Sequence, residues 1–105
     1  MKMTMSNHAR EDRADRLTYI AMTVGFGEVV VEKINGDCRE CLTNTGVLII
    51  KPLNKELMIT AYICDMDKAF AIYKGAGNVG RMPTYLHQRI CRNAVHLKIQ
   101  NTVRY

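Results

Sequence analysis

The sequence predicts an α+β fold, with an N-terminal helical segment and a C-terminal helix packed with a three- to four-stranded antiparallel sheet. Three observations carry this. β-Branched apolar runs between residues 28 and 64 alternate with tight-turn signals. Segments with helix caps flank them on both sides. The chain has 105 residues, which suits one compact domain with one modest core.

Taken in order, Ser6 caps a helix starting at Asn7, and Glu11 and Asp12 favour its positive end. The apolar LTYIAMTVGF extends that helix or forms a second short turn, until Gly25 and Gly27 break it. In GEVVVEKING the valines suit a strand, although Glu28 and Glu32 also permit a helix. Asn35-Gly36 predicts a hairpin turn between residues 28–34 and 37–43. Val47–Lys51 and Leu57–Cys64 read as strands separated by turns at 44–46 and 52–55. Short links make the result an antiparallel meander.

Asp65 or Asp67 caps a short helix over Lys68–Tyr73, with a strand as the alternative. Residues 75–82, like residues 1–5, are expected to be flexible. GAGNVG resembles part of a phosphate-cradling loop, but no strand–loop–helix unit surrounds it. Pro83 starts a final helix whose apolar face carries Leu86, Ile90, Ala94 and Leu97.

Charge is unevenly placed. Residues 1–67 hold eight basic and ten acidic side chains, whereas residues 68–105 hold seven basic side chains and no acid. A basic third attracts a phosphate backbone or an acidic protein surface, and does not choose between them. No apolar run approaches a membrane span, and the N-terminus lacks a signal-peptide core, so a cytoplasmic protein is expected.

Cys38, Cys41, Cys64 and Cys91 are then expected to be thiols in a reducing compartment. Cys38 and Cys41 have the gap of a zinc knuckle, and His87 and Cys91 could share a helical face. On one regular strand, however, the odd separation of Cys38 and Cys41 points them to opposite faces. No metal or other cofactor is expected. His96 could contact phosphate when protonated, or simply be a surface histidine.

Two stretches carry a resemblance: Ser6-Asn7-His8-Ala9-Arg10-Glu11-Asp12-Arg13 and Leu57-Met58-Ile59-Thr60-Ala61-Tyr62. With TNTGVLIIKP between them, they resemble small phage and mobile-element proteins related to the barnase–EndoU–RelE-type ribonuclease superfamily. The likeness covers approximately residues 5–74. It implies a histidine and basic residues on an N-terminal helix, then a curved antiparallel sheet whose late-strand threonine reaches the same cleft. His8, Arg13 and Thr60 match those positions, with Arg10 and Tyr62 as weaker matches. The GFGEVVV segment departs from the expected spacing.

The implied function is metal-independent, toxin-like RNA cleavage. Such a reaction needs a base for the ribose 2′-OH, an acid for the departing 5′-oxygen and positive charge at the phosphate. His8 could exchange protons, Arg13 could grip phosphate oxygens, and Thr60 could donate a hydrogen bond. Arg10, Lys51, Tyr62, Arg89, Arg92 and Lys98 are candidate substrate contacts. Each has an ordinary alternative: capping or surface pairing for His8 and Arg13, strand packing for Thr60 and Tyr62, and a solvent-facing strand end for Lys51. A non-enzymatic module binding nucleic acid or an acidic protein through the basic terminal helix is the competing expectation.

Overall fold

The structure, a computed structural model, describes residues 4–5, 14–77 and 80–102. Its elements are β1 (Thr4–Met5), α1 (Ala14–Thr23), β2 (Val29–Asn35), β3 (Cys38–Thr43), β4 (Val47–Pro52), β5 (Leu57–Met58) and β6 (Thr60–Ile63), followed by α2 (Met66–Gly75), α3 (Thr84–Arg92) and α4 (Ala94–Thr102). The main sheet is an antiparallel meander in the order β2-β3-β4-β6, and β1 pairs in parallel with β5. This is an α+β fold.

The turns sit where local chemistry puts them. Asn35 pairs with Cys38 around Gly36, whose φ of 63° suits a tight hairpin turn. The hairpin is displaced one residue from the expected bounds. Gly46 closes the β3–β4 turn at φ 82°, and a Cβ there would meet Asn93 Nδ2 at 2.7 Å. Asp65 caps α2, its Oδ1 accepting the Lys68 N–H at 2.7 Å. The run expected as one strand over 57–64 is divided at Ile59, although the Ile59 N–H still donates to Ile50 O at 2.8 Å.

The sheet is apolar on both sides, so it must be covered on both. One face carries Cys41, Val47, Ile49, Ala61 and Ile63, and packs against Leu17 and Ile20 of α1, Val24 just past its end, and Leu97 of α4. The other carries Leu42 and Leu48, and packs against Ala69 and Ile72 of α2 with Leu86 and Ile90 of α3. Leu17, Ile20 and Val24, at i, i+3 and i+7, continue the helical spacing that buries one face just past the end of α1.

The expected single terminal helix is two helices. Asn93 separates them, its backbone N–H reaching Arg89 O and Ile90 O at 3.1 Å. Its buried side chain donates from Nδ2 to Thr45 O at 2.8 Å, a bond that holds the break against the β3–β4 turn. Ala94 is consequently exposed, and Leu97 packs in the core on the other side of the sheet from Leu86 and Ile90. No helix among the described residues is long and apolar enough to cross a membrane.

Candidate phosphate site at the β6 edge

β6 is an outer strand of the sheet, with β4 on one side only. Its outward backbone groups must find partners or remain a template for another strand. Two side chains distant in sequence meet three of them. Arg16 Nε donates to Ala61 O at 3.0 Å. Gln100 brackets Ile63, accepting its N–H at Oε1 (2.6 Å) and donating from Nε2 to its carbonyl (3.2 Å).

Arg16 does more than close the edge. Strand alternation places Ala61 and Ile63 on the α1 face, and Thr60 and Tyr62 on the opposite face. The Arg16 side chain passes round the edge. Its Nη2 donates to Thr60 Oγ1 at 2.8 Å, and its Cζ lies 5.8 Å from the Tyr62 ring centroid. An always-cationic fork, a hydroxyl and a phenol thus meet at one edge. Because Thr60 Oγ1 accepts from Arg16, its own O–H is left to donate elsewhere. Burial raises the Tyr62 pKa, which keeps the phenol a hydrogen-bond donor.

Beyond Tyr62 the edge continues as a concavity of ≈ 360 Å³ lined by Tyr62, Ile63, Asp65, Lys68, Leu97 and Gln100. Lys68 pairs with the buried Glu40 at 3.1 Å, and that hydrogen bond raises its pKa. Lys33 lies 3.9 Å from the same carboxylate. The one buried side-chain polar atom left without a hydrogen bond among the described residues is Glu40 Oε1.

Of the sequence-predicted residues, Thr60 and Tyr62 come together here. His8, Arg10 and Arg13 lie outside the described residues. Lys51 is elsewhere: it is 6% exposed, and its ammonium lies 2.7 Å from Glu56 Oε2. It is no solvent-facing strand end. It lines a larger concavity of ≈ 670 Å³ on the α1 side with Leu17, Phe26, Ile49 and Met58. Arg89 and Arg92 lie on α3 beside a groove of ≈ 230 Å³, and Lys98 is exposed on α4.

Sequence reasoning missed Arg16 and Gln100. Arg16 immediately precedes the buried stripe of α1, a position from which a long side chain can leave the core at its margin. That signal was present, but only the sheet register says which edge it reaches. Gln100 had no comparable local signal.

The thiols divide by environment. Cys38 and Cys41 lie at odd separation on β3 and so face opposite ways. Burial, then the neighbouring Glu32 charge, pushes Cys41 up to about 11. Burial, then Asp65, pushes Cys64 up to about 12. His87 Nδ1 and Cys91 Sγ are 3.8 Å apart on exposed α3. Among the described residues no group of three or more His, Cys, Asp or Glu is placed to hold a metal ion. His96 Nδ1 is 2.9 Å from the Tyr19 hydroxyl, tying α4 to α1.

Compared with protein-family models, curated proteins and solved structures, the chain finds no match.

Proposed function

We propose that the protein is a metal-independent endoribonuclease-like protein whose phosphate-handling site is the β6 edge. The observation that carries this reading is the joint hold of Arg16 on Thr60, Ala61 and Tyr62. Cleavage by 2′-OH attack requires charge stabilisation at phosphorus, which needs donors fixed before the reaction begins. Arg16 supplies a fixed cationic plane, and Thr60 a hydroxyl oriented by it. Tyr62 supplies a protonated phenol and an aromatic face on which a base can stack.

Proton transfer needs a group that titrates near neutrality. His8 has that chemistry, and lies six positions before α1 in the sequence. In this reading His8 moves the proton, Arg13 adds positive charge, and the Thr60 hydroxyl positions the phosphate. The resemblance to the ribonuclease superfamily supports the same assignment. Incubating RNA with the purified protein in EDTA, and reading products for 2′,3′-cyclic phosphate ends, tests it.

A second reading is favoured by one observation: α3 presents Tyr85, Gln88, Arg89 and Arg92 in a region without acids. Here the protein binds nucleic acid or an acidic protein without cleaving it. Fold alone does not separate the two, because a site and its scaffold can part company.

A further inference from the structure

We propose that the outer stripe of α3 is a docking surface for single-stranded RNA, with Tyr85 as the stacking platform and Arg92 as a phosphate contact; this rests on RNA being what the β6 edge acts on. Tyr85, Gln88, Arg89 and Arg92 follow one another at i, i+3, i+4 and i+7, and so form one stripe. It runs beside Leu86 and Ile90, which anchor the helix in the core. With Asn44 of the β3–β4 turn, the stripe borders a groove of ≈ 230 Å³.

Tyr85, Gln88 and Arg92 are exposed, and Arg89 is held between them. Tyr85 is 54% exposed, a large aromatic surface left to water. Arg89 is half-buried and held by its own bond, Nη2 to Val24 O at 3.1 Å. Arg92 is exposed and has no ion pair among the described residues. Asn44 spends its carbonyl oxygen on the Glu28 N–H, leaving its amide N–H groups as donors.

The combination selects the partner class. An acidic protein surface would need the cations alone. A ring, two amides and two guanidinium groups match a nucleotide more fully, because bases stack, base edges hydrogen-bond and phosphates pair with arginine. Tyr85 can stack only on a base free of its own neighbours, which favours single strands over duplex. The residues that line the groove include two arginines and no carboxylate side chain, a charge that suits a phosphate backbone.

This surface also bears a fixed relation to the β6 edge. Arg16 meets β6 near one end of α1, and Arg89 grips Val24 just past the other. Arg16 and Val24 are eight positions apart, about 12 Å at helical rise.

The test is fluorescence anisotropy with the full chain and a labelled, mixed-sequence 2′-O-methyl RNA of about 12 nucleotides, which covers a typical single-strand site and has no 2′-OH to cleave. Tyr85→Ala should weaken binding about tenfold, and Tyr85→Phe should keep it within about twofold, because the ring rather than the hydroxyl does the stacking. Arg92→Gln should lower the slope of log K against log salt by about 0.7. Ile34→Ala, at a 66% exposed position outside both sites, should bind within about twofold of wild type, and circular dichroism should show all variants folded. Duplex of the same sequence should compete at least about tenfold less well.

Unchanged binding by both Tyr85→Ala and Arg92→Gln overturns the proposal, as does equal competition by duplex. Displacement by polyglutamate as readily as by RNA also overturns it, and assigns the face to an acidic protein. Cleavage of unmodified RNA, measured in parallel, reports separately on the β6 edge. Binding that follows Tyr85 and Arg92 without product upholds the docking surface and overturns the nuclease reading. Product formation with binding indifferent to both residues does the reverse.

Discussion

Arg16 and Thr60, 44 residues apart, are joined by a 2.8 Å hydrogen bond round the edge of the sheet. The helix that supplies the arginine packs on one face, and the threonine points to the other. The pair therefore fixes where α1 sits against β6 as well as orienting the hydroxyl. Thr60→Val should cost about 1.5 kcal/mol, the usual worth of a hydrogen bond to a charged group. Arg16→Lys should cost as much or more, because an ammonium cannot reproduce the fork that reaches both Thr60 Oγ1 and Ala61 O. Urea unfolding of the variants checks both values.

Gln100 is 8% exposed and satisfies both backbone groups of Ile63. Gln100→Ala should cost about 2 kcal/mol, since it leaves a donor and an acceptor buried without partners. Gln100→Glu should not rescue it: a carboxylate accepts the Ile63 N–H but has no donor for the carbonyl. Amide hydrogen exchange at Ile63 should accelerate in Gln100→Ala, and urea unfolding should show both variants destabilised.

Thiol reactivity should follow burial. Cys91 is exposed and Cys38 half-buried, whereas Cys41 and Cys64 are buried with pKa values pushed up to about 11 and about 12. Since the thiolate is the reactive form, iodoacetamide at pH 8 should label Cys91 first, then Cys38. Cys41 and Cys64 should be labelled only after unfolding. Peptide mass spectrometry reads the order directly.

Stability should depend on pH through Glu56. Its pKa is lowered by hydrogen bonds from Lys51 and Arg39, so the pairing stabilises the fold above the ordinary carboxylate pKa of about 4.3 and is lost as pH falls through the depressed value. Glu56→Gln should flatten that acid limb. At neutral pH it should also lower stability, because the buried Lys51 ammonium loses its counter-charge. Thermal melts between pH 2 and pH 7 (roughly the span over which a carboxylate titrates) check both.

The parts of this fold legible in the sequence are those fixed by neighbouring residues. Asn35-Gly36, Asn44-Thr45-Gly46 and Asp65 mark turns and a cap because glycine tolerates positive φ and a short side chain reaches nearby N–H groups. The helix break at Asn93 was illegible for the opposite reason. Apolar spacing continues through Ala94 and Leu97, and the bond that holds the break against the sheet reaches 48 residues away to Thr45. The candidate site was half legible. Thr60 and Tyr62 share a face by simple alternation, but it is the face opposite α1 and not the one toward the N-terminal helix that alternation alone suggests. The choice of Arg16 depends on how α1 is set against the sheet.

The most direct test of RNA cleavage at the β6 edge is product analysis of end-labelled RNAs of varied sequence, incubated with wild type, Thr60→Val and His8→Ala in EDTA. Wild type should yield 2′,3′-cyclic phosphate ends. Thr60→Val should lower the single-turnover rate about a hundredfold, the scale of losing one positioned donor. His8→Ala should lower it by about a hundredfold to ten-thousandfold, the scale of losing a general acid or base. Intact RNA with folded wild type, or undiminished cleavage by folded Thr60→Val, would contradict the assignment.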